Sequence, residues 1–142
     1  MNRTDTLLRL KRFKVDEMKR RVGSIEAMRA DLDRKLQDLD ENVAREKQRA
    51  GDSDIGRLAF PSFLRSIDSR RENLRATLKE MEREYAVAQL DLASAFQDLK
   101  SLELATEQQA KRLAEMQARR QQARMDEMAL VQHLRKHSLR SA

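Results

Sequence analysis

Cysteine is absent from the chain, which removes disulfides and thiolate metal sites and points to no oxidising compartment. Glycine occurs three times and proline once in 142 residues, so little of the chain is set aside for turns. Aromatic residues make up only 4%, too few to supply a series of base-stacking platforms. No apolar run approaches the roughly 20 residues of a membrane span. Near the N-terminus, Leu7, Leu8 and Leu10 are interrupted by Arg9 and Lys11, which breaks the continuous apolar stretch of a secretory signal. The expected location is therefore the cytoplasm.

What the chain has instead is charge. Asp, Glu, Lys and Arg make up 38%, with a net charge of +6 and a pI near 10.0. That much charge cannot be hidden in a compact core, whereas long polar helices sharing a narrow apolar seam accommodate it. Intrinsic disorder also favours such compositions; the regular apolar spacing described next argues against it, with fraying expected at the ends. Residues 1–22 and 111–142 each hold eight Lys/Arg against three acids, so these ends carry +10 together and the middle −4. If the chain folds back, both basic segments fall towards one pole.

The expected fold is all-α: an antiparallel two-helix coiled-coil hairpin with a longer second helix, forming one domain over residues 1–142. The first helix is expected over about residues 4–50. Its apolar positions, Leu8, Val15, Met18, Val22, Ile25, Leu32, Leu36, Leu39 and Val43, step by four and three, the 3.5-residue average of a coiled-coil stripe. Lys11 and Arg29 are charged members of the same series, and Arg29 can lay its stem along the seam with its head in water. Gly51-Asp52-Ser53-Asp54-Ile55-Gly56 reads as a break, with Gly51 suited to a left-handed helix end. Pro61 suits a helical first turn and disfavours helical geometry at Phe60. The elbow is thus expected over 51–60 and the second helix over about 61–137.

In the second helix the rhythm continues through Phe60, Leu64, Ile67, Arg71, Leu74, Leu78, Met81, Tyr85, Ala88, Leu92, Ala95, Leu99 and Leu102. Pairing positions whose numbers sum to about 110 sets Val43 against Ile67, Leu32 against Leu78, Ile25 against Tyr85 and Val15 against Ala95. Small alanines then face β-branched valines, Arg29 faces Met81, and Arg71 faces Leu39. On this register the first helix is exhausted near residue 103. Residues 108–137 overhang by about 45 Å at 1.5 Å per residue. The overhang's stripe is diluted by Thr106, Gln109, Arg120 and Glu127, yet Leu113, Met116, Met125, Met128, Leu130, Val131 and Leu134 make it too apolar for an inert spacer. Methionine-bearing surfaces suit adaptable docking of partner helices.

Chemistry is hard to place on this chain. Gly23, Gly51 and Gly56 are isolated, so there is no phosphate loop. His133 and His137 stand at i and i+4, a spacing that could share a metal, but no third ligand lies nearby; ordinary solvated histidines are the preferred reading. The acidic residues alternate with Lys and Arg at helical spacing and read as solvated salt-bridged faces. No catalytic site, cofactor or metal is expected. The high pI raises nucleic-acid binding, but Phe13 is the one aromatic in the basic clusters. Asp16, Glu17, Asp126 and Glu127 would also oppose a phosphate-tracking face. A generic coiled-coil scaffold, adaptor or homodimer is compatible with the composition.

Two local sequences carry a family resemblance: the opening Leu7-Leu8-Arg9-Leu10-Lys11-Arg12-Phe13-Lys14-Val15, and Phe60-Pro61-Ser62-Phe63-Leu64 at the start of the second helix. With the helix lengths and basic ends, the chain resembles the FliJ family of the bacterial flagellar type III export apparatus along its whole length. The resemblance implies a non-enzymatic protein similar in shape to the gamma stalk of rotary ATPases. Its implied partners are the flagellar export ATPase, the cytoplasmic domain of the export gate FlhA, and export chaperones that it recycles; membrane association would come only through partners at the flagellar base. The family's gate contact, carried over by position, falls on Phe63, Ile67, Arg70 and Leu74, where Arg70 replaces a small residue and Leu74 a polar one. Phe63 lies off the seam series and is expected to be exposed as an anchor, or to close the turn against Ile55 or Leu58. The paired basic residues Arg9, Lys11, Arg12, Lys14, Lys19, Arg20 and Arg21 with Lys111, Arg112, Arg119, Arg120 and Arg124 would meet the ATPase ring.

Overall fold

A computed structural model describes residues 2–141, with side chains as far as Arg140. Two helices account for nearly all of it: α1, Arg3–Ala50 (48 residues), and α2, Asp54–Ser141 (88 residues). They pack against each other as the expected hairpin with the longer second leg.

Helix α1 begins at a side-chain cap. The Thr4 N–H donates to Asn2 Oδ1 at 2.9 Å, satisfying one of the free donors of the first turn. Asp5 in that turn and Lys47 and Arg49 in the last match the helix dipole at both ends. Along α1 from Leu8 to Val43, the series positions 8, 11, 15, 18, 22, 25, 29, 32, 36, 39 and 43 are buried or half-buried. Every member of the four-three series thus faces the partner helix, the two charged ones included. On α2 the matching positions are 60, 64, 67, 71, 74, 78, 81, 85, 88, 92, 95, 99, 102 and 106.

The turn is tighter than the spacing suggested. Only Gly51, Asp52 and Ser53 lie between the helices, and Gly51 has no positive φ, so the expected left-handed helix end is not formed. The Gly51 N–H instead continues the α-helical pattern to Lys47 O (3.3 Å), and the Asp52 N–H reaches Arg49 O three residues back (3.0 Å), the shorter-range bond that tightens a last turn. Ser53 then caps α2, its Oγ accepting from the Gly56 N–H at 3.0 Å. The Arg57 side chain donates to Gly51 O at 3.3 Å. Gly56 permits this close reversal: a Cβ there would stand 2.9 Å from Ser53 Oγ and 3.1 Å from Ala50 Cα.

Because the Ser53 cap starts α2 at Asp54, Pro61 lies inside the helix rather than in its first turn. The expected elbow of 51–60 is correspondingly shortened to 51–53. An interior proline removes one helical hydrogen bond and costs about 3 kcal/mol. Packing on both sides of it, by half-buried Phe60 and Leu64 and buried Ile67 of the seam and by half-buried Phe63 beside it, compensates at about 1.5–3 kcal/mol for each fully buried large apolar side chain.

The chain divides into two compact units: Arg9–Asp98, and the residues up to Leu8 together with those from Leu99 onward. In the 9–98 unit the register is visible from cross-helix polar contacts. Arg71 meets Asp40 at 2.5 Å, Tyr85 meets Glu26 at 2.7 Å, Lys11 meets Asp98 at 4.0 Å and Arg21 meets Asp91 at 3.7 Å. All four pairs have numbers adding to 109–112, in agreement with the expected register. The core between them consists of Val15, Met18, Ile25, Leu32, Leu39, Ala50, Ile67, Ala88 and Ala95. Ala88 is fully enclosed at 0% exposure, as a small residue at the closest approach of two helices should be.

In the other unit, half-buried Leu8, buried Leu99 and half-buried Leu102 and Thr106 mark the last shared turns. Every described residue from Glu107 to Arg140 is exposed, yet the segment is helical throughout. It contains no glycine or proline and is dominated by Ala, Gln, Arg, Met, Leu and Glu, the strongest intrinsic helix formers.

Candidate functional site

Three surfaces carry the residues singled out from the sequence. Early α2 holds Phe63, Ile67, Arg70 and Leu74 within about three turns. Ile67 is 2% exposed and belongs to the hairpin seam. Leu74 is half-buried at the seam edge and Arg70 is exposed. Both flank a shallow groove completed by Lys35, Asp38, Leu39 and Asn73.

Phe63 is half-buried, not fully exposed as expected. Its ring stacks on Phe60 with centroids 6.4 Å apart at 25°, and it lines a depression with Asn42, Arg45, Glu46 and Arg49 of α1. The reason is the tight turn: α2 begins beside the last turns of α1, so a side chain off the seam still meets the neighbouring helix. Closure against Ile55 or Leu58 does not occur, since both are 82% exposed. This apolar pair at the tip is a surface that sequence reasoning assigned to turn closure. Its signal was the placement of two aliphatic residues in the first turns of a helix, before the seam begins.

The basic residues singled out on α1 lie in the 9–98 unit. Arg9, Arg12, Lys14, Lys19, Arg20 and Arg21 are exposed and Lys11 is half-buried. Arg21 and Lys11 already face Asp91 and Asp98 across the hairpin, so part of their charge is answered within the chain. Leu10 and Phe13 are exposed among them.

Lys111, Arg112, Arg119, Arg120 and Arg124 belong to the other unit and are all exposed. Leu113, Met116, Met125, Met128, Leu130, Val131 and Leu134 share this stretch and are exposed as well. Solitary exposed apolar residues are ordinary, but a run along one helix marks an interaction surface. His133 and His137 stack there with centroids 6.4 Å apart. Among the described residues no three His, Cys, Asp or Glu come together as a metal site, and none of the surfaces brings a nucleophile to a base.

Among the described residues, no helix is long and apolar enough to cross a membrane. The family model for flagellar FliJ protein matches residues 1–138. No curated protein and no solved structure matches the chain. With a match over nearly its whole length, the chain belongs to the FliJ family and is a flagellar, export-related component.

Proposed function

We propose that this protein is a non-enzymatic accessory of flagellar type III export that docks on the export ATPase through the exposed end of α2 and touches the export gate near the turn. The observation that carries the first contact is the fully exposed helical run from Glu107 to Arg140. A helix that keeps eight large apolar side chains in water, Leu139 included, gains by burying them against a partner. Arg112, Arg119, Arg120 and Arg124, with Arg9, Arg12, Lys14, Arg20 and Arg21 of α1, suit an acidic surface. Charge of this kind mainly steers encounter and makes binding sensitive to salt. A stalk-like entry into the ATPase ring fits such a hairpin.

The gate contact, with the cytoplasmic domain of FlhA, is assigned to Phe63, Arg70 and Leu74. Ile67 acts from behind by holding α2 in place, because its own side chain is already enclosed. Exchange of export chaperones would occur on the same assembly, at the cytoplasmic face of the membrane and through these partners alone.

The test uses purified flagellar export ATPase and the full-length protein. Wild-type protein is expected to raise the rate of ATP hydrolysis. The variant Arg119→Glu/Arg120→Glu/Arg124→Glu should need about tenfold more protein for the same effect, with weaker salt dependence than wild type. A wild-type protein that neither binds the ATPase nor changes its rate would leave the scaffold reading in place.

A further inference from the structure

Two arginines occupy seam positions where a two-helix coiled coil ordinarily places aliphatic residues. Arg71 is the simpler case. Its guanidinium meets Asp40 of α1 at 2.5 Å and Asp68 of its own helix at 3.2 Å, so its charge is answered from both legs.

Arg29 sits in a more elaborate layer. Its guanidinium carbon stands 4.7 Å from the centroid of the Tyr85 ring, a favourable placement over the negative face of an aromatic. The Tyr85 hydroxyl donates to Glu26 Oε1 at 2.7 Å and accepts from Gln89 Nε2 at 2.9 Å. One α1 turn and one α2 turn are thus tied together by contacts that a Leu–Leu layer could not specify. The layer is not ideal for stability, because the Arg29 Nε is buried and lacks a hydrogen-bond partner. In several coiled coils a polar group retained in the seam at such a cost fixes register and oligomeric state.

We infer that the Arg29 and Arg71 layers decide which partner the seam accepts: the chain's own second leg rather than a second copy aligned in parallel. In the hairpin, Arg29 finds Tyr85 and Arg71 finds Asp40. In a parallel in-register pair, Arg29 would face Arg29 of the other copy and Arg71 its own counterpart, placing like charges in two layers of one seam. A slip of one heptad is opposed in the same way, since it takes Arg29 off the Tyr85 ring and Arg71 away from Asp40. The aliphatic layers carry no such discrimination, because leucine packs against any apolar residue in register. This inference concerns the hairpin itself and does not depend on the export reading.

The native chain has no cysteine, so introduced pairs report pairing directly. Val22→Cys/Ala88→Cys links the observed register, Val22→Cys/Ala95→Cys links a one-heptad slip, and Val22→Cys alone links two parallel copies. In the otherwise native chain only the first should oxidise, within one molecule. In Arg29→Leu/Arg71→Leu, the slipped pair and the single cysteine should link as well, and the mass measured by light scattering should rise with concentration. Arg29→Lys/Arg71→Lys retains charge at both layers and should behave as the native chain. The inference is overturned if the leucine variant keeps the native pattern and a monomer's mass, or if the lysine variant loses them. It is also overturned if the leucine variant dimerises only through intermolecular 22–88 links, which keep the hairpin's antiparallel register without the arginines and would put selection in the turn.

Discussion

Tyr85 is the only tyrosine of a chain without tryptophan, so its ionisation can be followed alone by near-ultraviolet absorbance. Its hydroxyl donates to the Glu26 carboxylate, and this bond, with burial and the Glu26 charge, raises its pKa above 10.0; the Arg29 cation pulls the other way. A folded state that holds the phenolic proton more tightly gains stability below pH 10.0 and loses that gain as pH rises through the raised value. The phenolate midpoint should therefore lie above 10.0 in the folded protein, and Glu26→Gln should bring it down. A midpoint unmoved by that substitution would remove Glu26 as the cause. Ala88 offers a second residue-scale test. With no exposed surface left, Ala88→Leu should overpack the seam and destabilise by about 1–3 kcal/mol in thermal or denaturant unfolding. The seam positions of Ala88, Arg29 and Arg71 were legible from spacing alone. The contact of Tyr85 with Glu26 was not, because a donor and an acceptor 59 residues apart leave no local pattern.

At the scale of elements, the turn is where local signals and tertiary packing part company. Gly51, Asp52, Ser53 and Pro61 together suggested an elbow running to residue 60, but Gly51 takes no left-handed conformation and Pro61 lies inside α2. Ser53 overrode that reading by capping α2 at its own position, and the seam contacts around Pro61 kept the helix intact through the proline. Two substitutions separate these causes. Ser53→Ala removes the Oγ that receives the Gly56 N–H and should cost about 1 kcal/mol. Gly56→Ala forces a methyl group into the approach of Ala50 and Ser53 and should lower the melting temperature further, since part of the obstruction is backbone. If Gly56→Ala were instead stabilising, as alanine usually is within a helix, the reversal would be looser than described. The burial of Phe63 follows from the same tight turn, which the spacing of apolar residues does not encode.

For the whole molecule, the proposed function gives the seam and the exposed run of α2 opposite fates on binding. The heptad series predicted where burial stops, close to Thr106, because α1 has no residues left to offer. On the proposed reading a partner of the export apparatus covers the rest, and the exposed apolar and basic residues of 107–140 support that assignment. Amide hydrogen exchange, read along the chain with and without purified flagellar export ATPase, tests this division most directly. The seam segments 15–50 and 64–99 should be slow in both conditions, while 107–140 should exchange fast alone and become protected on adding the ATPase. Exchange in 107–140 that stays unchanged in a saturated complex would contradict the assignment of that helix as the docking element.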